Sequence, residues 1–376
     1  MTRQMGWRRV FRSVLLIALL ALNATLSSCG GSGGALAGGG TSGTGITQGT
    51  VTAFGSVIVN GVEFDTRGAR IFVEGTQSTE DALRVGMVVT VRGSWQANGM
   101  GTATEVSYDD DVEGPISAID TGSQTVTVLG QTVHVDGDTV YAAEDGTITG
   151  LADLQINDVV EVSGFFEGNG PIIATRLERK SSGRGEYEIR GTVQNLDRNA
   201  ETFTVGGLKV AYDTAKQIPD GGVADRQFVE VRGTLDGATL KASRIELESE
   251  GVSGRDGEDV SLEGLIGNFH SATEFTVDGQ PVTTDGDTEY HDGASPSTLA
   301  AGLRVQVEGH LSNGVLVAEE IGLRQSGDAR LEDRIFAVDG STFTTNLGIQ
   351  VEVTSETVLE DDTTDNRFFN QRPGTG

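Results

Sequence analysis

The chain has one cysteine, few aromatic residues and no long apolar run. With Cys29 alone, no disulfide can form within the chain, so packing alone must stabilise the fold. Aromatic residues are 6% of the sequence and glycine occurs 54 times in 376 residues, which favours short strands and many turns. Residues 14–22 form an apolar run that is too short for a membrane-spanning helix, which needs roughly 20 residues.

Positive charge is also scarce, with 27 Lys and Arg against 55 Asp and Glu and a net charge of −28. Removal of residues 1–28, which hold four arginines and no acids, would change the charge to −32. Because nucleic-acid binding depends on Lys and Arg that displace counterions, we expect no nucleic-acid partner. The one basic cluster is interpreted as a solvated linker; it consists of Arg176, Arg179, Lys180 and Arg184.

Signs of catalysis are missing. The sequence has no Gly-x-Ser-x-Gly motif, and no pair of acids stands apart from the others. A repeated architecture also argues against an enzyme, because catalysis needs one asymmetric constellation of residues. We therefore predict no enzymatic activity, no catalytic residues, no cofactor and no metal site.

The acidic and histidine-containing segments carry weak signals for metal binding. The histidines show no metal-binding spacing; they are His134, His270, His291 and His310. The string Asp-Gly-Asp-Thr starts at Asp136 and again at Asp285, and it is interpreted as a turn, with calcium binding as the alternative. Counted from Asp136 and Asp285, the sixth residues are Tyr141 and Tyr290, whereas an EF-hand loop needs glycine at this position. Residues 109–111 and 361–362 are interpreted as solvated acidic linkers.

A repeated strand pattern is the main structural signal. Val-x-Val-x-Gly occurs four times, and its final glycines lie 71, 69 and 76 residues apart, at Gly93, Gly164, Gly233 and Gly309. A strand beginning with alanine follows each copy, and a strand that ends in a glycine turn precedes it. The turns at Asn60-Gly61 and Asp278-Gly279 are typical of tight hairpins, because these residues tolerate positive φ.

These landmarks predict an all-β chain of small five-stranded barrels with the form of the OB-fold, each with a short helical turn before the Val-x-Val-x-Gly strand. Closure into a barrel removes exposed sheet edges, and neighbouring barrels are expected to support one another in an elongated array. The predicted repeats cover residues 47–109, 110–182, 183–252 and 258–326. Residues 327–376 are predicted to form an incomplete fifth repeat and a loose tail.

The N-terminus resembles a lipoprotein signal peptide. Arginines precede the apolar run, and Leu26-Ser27-Ser28-Cys29 resembles a lipobox whose cysteine is acylated. The resemblance implies a signal peptide over residues 1–28 and a lipid anchor at Cys29 that inserts in the bilayer. Gly30 after the cysteine favours the outer membrane of a Gram-negative bacterium, on its periplasmic face or at the cell surface. Residues 29–46 are predicted to form a flexible glycine-rich tether.

Together, the repeats and the lipobox resemble tandem copies of a bacterial family, domain of unknown function 5666, over residues 46–325. The resemblance implies a repeated β-barrel in an exported and often lipid-anchored setting. It implies no activity and no catalytic residues. The truncated last repeat departs from the family pattern.

Our leading hypothesis is a non-enzymatic, membrane-anchored envelope lipoprotein that acts as a repeat scaffold, a spacer or an adhesion module. The alternative is a binding module for a glycan, a small ligand or an envelope protein through barrel loops. Trp95, Phe165 and Phe166 follow two of the Val-x-Val-x-Gly strands, where their rings could face a sugar. Their alternative role is packing against the neighbouring barrel.

Overall fold

A computed structural model describes residues 42–53, 57–168, 170–181, 185–324, 335–345 and 350–352. The predicted signal peptide, Cys29 and the acids at 361–362 lie outside these residues, as does most of the predicted tether. Across the described segments, none of the helices has the length and apolarity needed to cross a membrane.

Strands dominate five consecutive units. Unit 1 contains β1 (Gly43–Ala53), β2 (Val57–Val59), β3 (Val62–Asp65), β4 (Arg70–Val73), β5 (Thr76–Ser78), β6 (Val88–Trp95) and β7 (Met100–Tyr108). Unit 2 contains β8 (Val112–Asp120), β9 (Thr125–Val128), β10 (Gln131–His134), β11 (Val140–Ala143), β12 (Val159–Phe166) and β13 (Ile172–Arg179). Unit 3 contains β14 (Tyr187–Asp197), β15 (Thr202–Val205), β16 (Leu208–Ala211), β17 (Phe228–Asp236) and β18 (Thr239–Leu247). Unit 4 contains β19 (Asp259–Ser271), β20 (Glu274–Val277), β21 (Gln280–Thr283), β22 (Glu289–His291), β23 (Arg304–Ser312) and β24 (Val315–Leu323). Unit 5 contains β25 (Ile335–Asp339), β26 (Thr342–Thr345) and β27 (Gln350–Glu352).

Each of units 1 to 4 closes five strands into a barrel. In unit 2, β8 pairs with β9, β9 with β10, β10 with β13, β13 with β12, and β12 again with β8. The pairing of β10 with β13 is parallel and the others are antiparallel. Units 1, 3 and 4 repeat this circuit. The predicted all-β fold of tandem OB-like barrels is confirmed.

The segment between the third and fourth barrel strands contains secondary structure that is not part of the five-stranded circuit. A short strand there pairs in parallel with the last barrel strand: β4 with β7, β11 with β13, and β22 with β24. These extra strands were not predicted. The predicted helical turn is present as a 3-10 turn at Glu80–Ala82 and at Leu151–Asp153. At 298–302 of unit 4 the segment is a hydrogen-bonded turn instead of a helix, with the Thr298 N–H donating to the Ser295 carbonyl at 3.0 Å.

The Val-x-Val-x-Gly motif marks the place where each barrel bends. Its two valines are at most 1% exposed in every copy and fill the barrel interior. Its glycine pairs with the alanine of the last strand, and the next residue of that strand bulges out of register. A Cβ on the motif glycine would lie 2.0–2.3 Å from a carbonyl oxygen of that strand. The motif therefore requires glycine because the two backbones approach closely at a bulge.

The tight turns follow the sequence prediction. Asn60 and Asp278 have φ of 51° and 45°, and the glycines after them have φ of 78°. Two consecutive residues with positive φ are the geometry of a primed hairpin turn.

The start of β1 corrects the predicted extent of the tether. Gly43 and Gly45 belong to this strand and pair with Trp95 and Gly93 of β6. A Cβ on Gly45 would lie 2.0 Å from the Asp259 carbonyl oxygen, so this glycine permits close approach instead of flexibility.

The barrels pack together within one compact unit instead of an elongated array, which corrects that expectation. Strand β1 pairs in parallel with β19, which joins units 1 and 4, and β8 pairs with β14, which joins units 2 and 3. Contacts also link unit 1 to units 2 and 3, and unit 2 to unit 4. First strands pair across units because each is longer than its partners inside the barrel and its backbone has groups left to pair.

Unit 5 is a separate three-stranded meander, in which β26 lies between β25 and β27. Its described strands pair only with one another.

Replacing Gly233 with Ala is expected to lower the free energy of unfolding by about 1–3 kcal/mol, because the added Cβ would overlap backbone that has no room to move. That Cβ would lie 2.2 Å from the Lys241 carbonyl oxygen. Denaturant unfolding measures the effect. Gly137→Ala is the matched control, because no atom lies within 4 Å of its added Cβ. Equal stability of the two variants would contradict the proposed role of the bulge.

Candidate functional site

Polar residues that point out of one barrel are buried against another. Within the Val-x-Val-x-Gly strands, the residue between the two valines faces away from the barrel interior because successive side chains alternate. In units 2, 3 and 4 these residues are Glu161, Glu230 and Gln306, and they are 3–6% exposed. The interfaces between the barrels are therefore lined with charged and polar groups, which need partners to be tolerated there.

A cavity of about 740 Å³ lies where units 1 to 4 meet. Thr90 of unit 1, Phe166 of unit 2, Arg190 of unit 3 and Asp278 of unit 4 are among its lining residues. The linkers after units 1 and 3 also contribute to the wall. The volume is within the usual range of ligand sites, roughly 300–1,000 Å³.

Two aromatic rings stand in the wall of this cavity. Phe166 of β12 meets Phe228 of β17 edge to face, with ring centroids 5.5 Å apart and an interplanar angle of 89°. The Arg190 guanidinium lies 5.8 Å from the centroid of the Phe228 ring. The half-buried Phe166 ring thus combines an apolar face with nearby charged donors.

The other two predicted aromatic site residues do not form an exposed rim, which corrects that part of the hypothesis. Trp95 is 5% exposed and packs in the core of unit 1. Phe165 is fully buried, and Arg304 of unit 4 lies 5.1 Å from the centroid of its ring. Because side chains alternate along β12, Phe165 and its neighbour Phe166 point in opposite directions, and only Phe166 reaches the cavity.

The acidic linker at 109–111 is not solvated, contrary to the sequence-based interpretation. Asp110 is 1% exposed and Asp111 is 6% exposed. The described part of the basic cluster is also partly buried: Arg176 is 5% exposed, and the Lys180 ammonium lies 2.6 Å from Glu161. The acidic segment connects units 1 and 2, whereas Arg176 belongs to β13 and Lys180 follows this strand. The packing of the barrels encloses both segments.

Three glutamates form a row across the place where β8 and β14 pair, here called the seam between units 2 and 3. Glu161 of β12 is paired in register with Glu113 of β8, and Glu113 is paired in register with Glu188 of β14. All three are 5–7% exposed. Like charges directly opposite each other on adjacent strands are destabilising, so this row opposes the pairing that contains it.

Asp110 and Glu74 complete a cluster of five buried or half-buried carboxyl groups with this row. Glu74 lies at the β4–β5 turn of unit 1 and accepts the Asp110 backbone N–H at 2.9 Å. The cluster, here called the Asp110 cluster, consists of Glu74, Asp110, Glu113, Glu161 and Glu188.

Two cations neutralise part of the Asp110 cluster. Arg232 lies 2.9 Å from Glu74 and 2.8 Å from Glu188. Lys180 lies 2.6 Å from Glu161, which also accepts the Tyr108 hydroxyl at 3.0 Å. Arg232 and Lys180 thus pair with three members of the cluster, Glu74, Glu188 and Glu161.

Burial and mutual repulsion raise the pKa of three of these acids, Glu74, Asp110 and Glu188. Desolvation, followed by the charges of Glu74 and Glu230, raises the pKa of Glu188 to about 10. Desolvation and the charges of Glu74, Glu188, Glu161 and Glu113 hold the pKa of Asp110 well above its usual range. A raised pKa favours the neutral acid, and an additional positive charge nearby would favour the ionised form.

Asp111 and Asp278 line the cavity beside the cluster. Asp111 accepts the Gly164 N–H at 2.8 Å, and burial raises its pKa to about 7, although Arg190 opposes the shift. Burial also raises the pKa of Asp278 to about 6, against hydrogen bonds from the Phe166 N–H and the Gln48 amide. The cavity wall thus carries carboxyl groups that titrate near neutral pH.

The other candidate segments have structural roles or are dispersed. Asp136 and Asp285 each accept the N–H two residues later at 2.9 Å and donate their own N–H to a threonine hydroxyl at 3.0 Å. These contacts support the turn interpretation of Asp-Gly-Asp-Thr. Among the described residues, the groups arranged to hold a metal ion contain no histidine.

The sequence analysis missed the Asp110 cluster because its members come from three units and a linker. The available signal was glutamate at the outward positions of the Val-x-Val-x-Gly strands and before the glycine of β8. In a single barrel, a side chain that points outward would be exposed to solvent. Here the neighbouring barrels bury these outward side chains.

Comparison with known proteins gives one family. The family model described as Domain of unknown function (DUF5666) matches residues 48–107, 113–178, 190–246 and 263–322, which correspond to units 1 to 4. No curated protein matches the chain.

Asp278→Asn is expected to remove part of the pH dependence of stability. Because the folded pKa of about 6 exceeds the unfolded value of about 3.9, stability falls as pH rises from 4 through 6. The variant should therefore gain stability relative to wild type over this range, by up to about 2 kcal/mol for a half-buried group. Denaturant unfolding at pH 4 and pH 8 measures the difference.

Asn60 has a similar φ in the equivalent turn, so asparagine suits the backbone at position 278. The control is Asp287→Asn, which removes an exposed acid from another turn of unit 4. A difference between Asp278→Asn and wild type that does not change with pH would show that the Asp278 carboxyl group titrates normally in the folded protein.

Proposed function

The chain belongs to the family described as Domain of unknown function (DUF5666), and from its structure we propose that it is a non-enzymatic, lipid-anchored envelope protein that binds a glycan in the cavity among its four barrels. The observation that carries the proposal is the cavity itself, to which every one of units 1 to 4 contributes. A spacer or a linear string of barrels would not need such a cavity.

The chemistry of the cavity wall suits a carbohydrate. The Phe166 and Phe228 rings can pack against the C–H face of a sugar ring. Arg190 and Asp111 are placed beside them as donor and acceptor for hydroxyl groups. The wall is otherwise mainly polar, which suits a ligand that is rich in hydroxyl groups.

The scaffold and adhesion roles remain compatible with the proposal. A compact block of barrels, joined by β1–β19 and β8–β14 pairing, presents one fixed surface from a membrane anchor. Because the barrels fold back on one another, the block spans less distance than a linear array would. A spacer role is therefore the weakest of the three hypotheses.

The proposed location is the outer membrane of a Gram-negative bacterium, at the periplasmic face or the cell surface. Support comes from the lipobox that ends at Cys29 and from Gly30 after it. More than one acyl chain is needed for stable anchoring, and lipoprotein processing supplies them at one cysteine.

Phe166→Ala is expected to weaken binding to a bacterial envelope glycan about tenfold, because one ring of the stacking surface is lost. An array of purified envelope glycans identifies the ligand, and titration calorimetry measures the affinity. Phe72→Ala is the matched control, since this half-buried ring lies outside the cavity wall. Absence of any glycan ligand, or equal losses in both variants, would overturn the proposed binding function.

Cys29→Ser should move the protein from the membrane fraction to the soluble fraction, because serine cannot carry the thioether-linked lipid. Ser28→Ala is the control and should stay with the membrane, since a small residue is retained before the cysteine. Fractionation followed by mass spectrometry of the N-terminal peptide measures both. Wild-type protein that is soluble and unacylated would contradict the anchoring proposal.

A further inference from the structure

Asp110 is the buried centre of the Asp110 cluster and lacks hydrogen-bond partners for its side chain. It is 1% exposed, and within the described residues neither of its carboxylate oxygens has a hydrogen-bond partner. A buried polar atom without a partner costs about 1–3 kcal/mol, and more when it is charged. Native proteins rarely leave both oxygens of a buried carboxylate without a hydrogen-bond partner. The two oxygens of Asp110 are therefore suited to bind a further group.

The surrounding oxygens define where that partner would lie. One oxygen each of Glu74, Asp110 and Glu188 lie within 4.8 Å of one another. Two ligands on opposite sides of a calcium ion, with bonds of about 2.4 Å, are separated by about this distance. Oε1 of Glu188 is a further buried oxygen without a hydrogen-bond partner in the described chain.

The local charge also favours a cation. Arg232 is held by Glu74, Glu188 and Glu230 at 2.7–2.9 Å, so its charge is shared among three carboxylates. Lys180 is held by Glu161 at 2.6 Å. Neither cation is paired with Asp110, although Glu113 and Glu161 form a second group of oxygens within 4.8 Å of it.

We propose that Asp110, Glu74 and Glu188 bind one divalent cation of the calcium type at the junction of unit 1, unit 3 and the linker between units 1 and 2. Oxygen ligands alone select a hard cation over zinc or copper. Calcium fits better than magnesium, because magnesium needs shorter bonds and retains several waters. The cation would tie three segments of the chain together and offset the repulsion along the row of glutamates. This proposal is independent of glycan binding.

The test uses the full chain, purified in detergent and stripped with a chelator. Addition of CaCl2 is expected to raise the midpoint of thermal unfolding by several degrees, and MgCl2 at the same concentration should raise it less. Titration calorimetry with CaCl2 gives the dissociation constant and the stoichiometry, for which one tight ion per chain is expected.

Asp110→Asn is expected to weaken calcium binding about tenfold or more, because an amide oxygen is a weaker ligand for calcium than a carboxylate. Glu188→Gln tests the same site from unit 3 if the first variant folds poorly. Asp287→Asn is the control, because it removes an exposed acid from an Asp-Gly-Asp-Thr turn.

The outcomes separate the alternatives. Loss of the calcium response in Asp110→Asn or Glu188→Gln, with the response retained in Asp287→Asn, supports the proposal. A wild-type chain whose melting is unaffected by millimolar calcium would overturn it and would indicate that protonated acids share the site. Loss in Asp287→Asn alone would place calcium at the acidic turns and would also overturn it.

Discussion

The burial of charged residues between barrels is the constraint on which the rest of the structure depends. Arg232 lies at the outward position of a Val-x-Val-x-Gly strand and contacts Glu74 of unit 1 as well as Glu188 and Glu230 of its own unit. Once Arg232 and its partners leave water, they need opposite charges at fixed distances, which few arrangements of the barrels satisfy. The charges therefore select the arrangement, although they add little to its stability.

Apolar packing supplies the stability that the charged interfaces do not. A unit of about 60 residues is marginal alone, and one cysteine excludes disulfide support within the chain. Separate apolar cores fill units 1 and 4, and a shared core spans units 2 and 3, which β8 and β14 join. The inward valines thus form the core of each barrel. Pairing between the first strands of neighbouring units joins the barrels into one block that contains the cavity.

The division between inward and outward residues also explains how much the sequence could predict. Period-two alternation, the bulge glycine at Gly233 and the turn at Asn60 follow from local geometry, so the strands, hairpins and barrel closure were predictable. The partner of Glu113 depends on which barrel lies beside it, and no local pattern encodes that. For the same reason Phe166 was identified as a site residue, whereas Phe228, which faces it from unit 3, was not.

The Asp110 cluster is costly in a way that the fold alone does not require. Units 1 and 4 also bury a carboxylate where they meet, but Glu263 has partners there: it accepts the Thr50 N–H at 2.8 Å and lies 2.9 Å from the Arg304 guanidinium. The seam between units 2 and 3 instead places Glu113 opposite Glu188 and encloses Asp110 beside them. Because Asp110 has no such partner within the described chain, the proposed cation would take the place beside it that Arg304 takes beside Glu263.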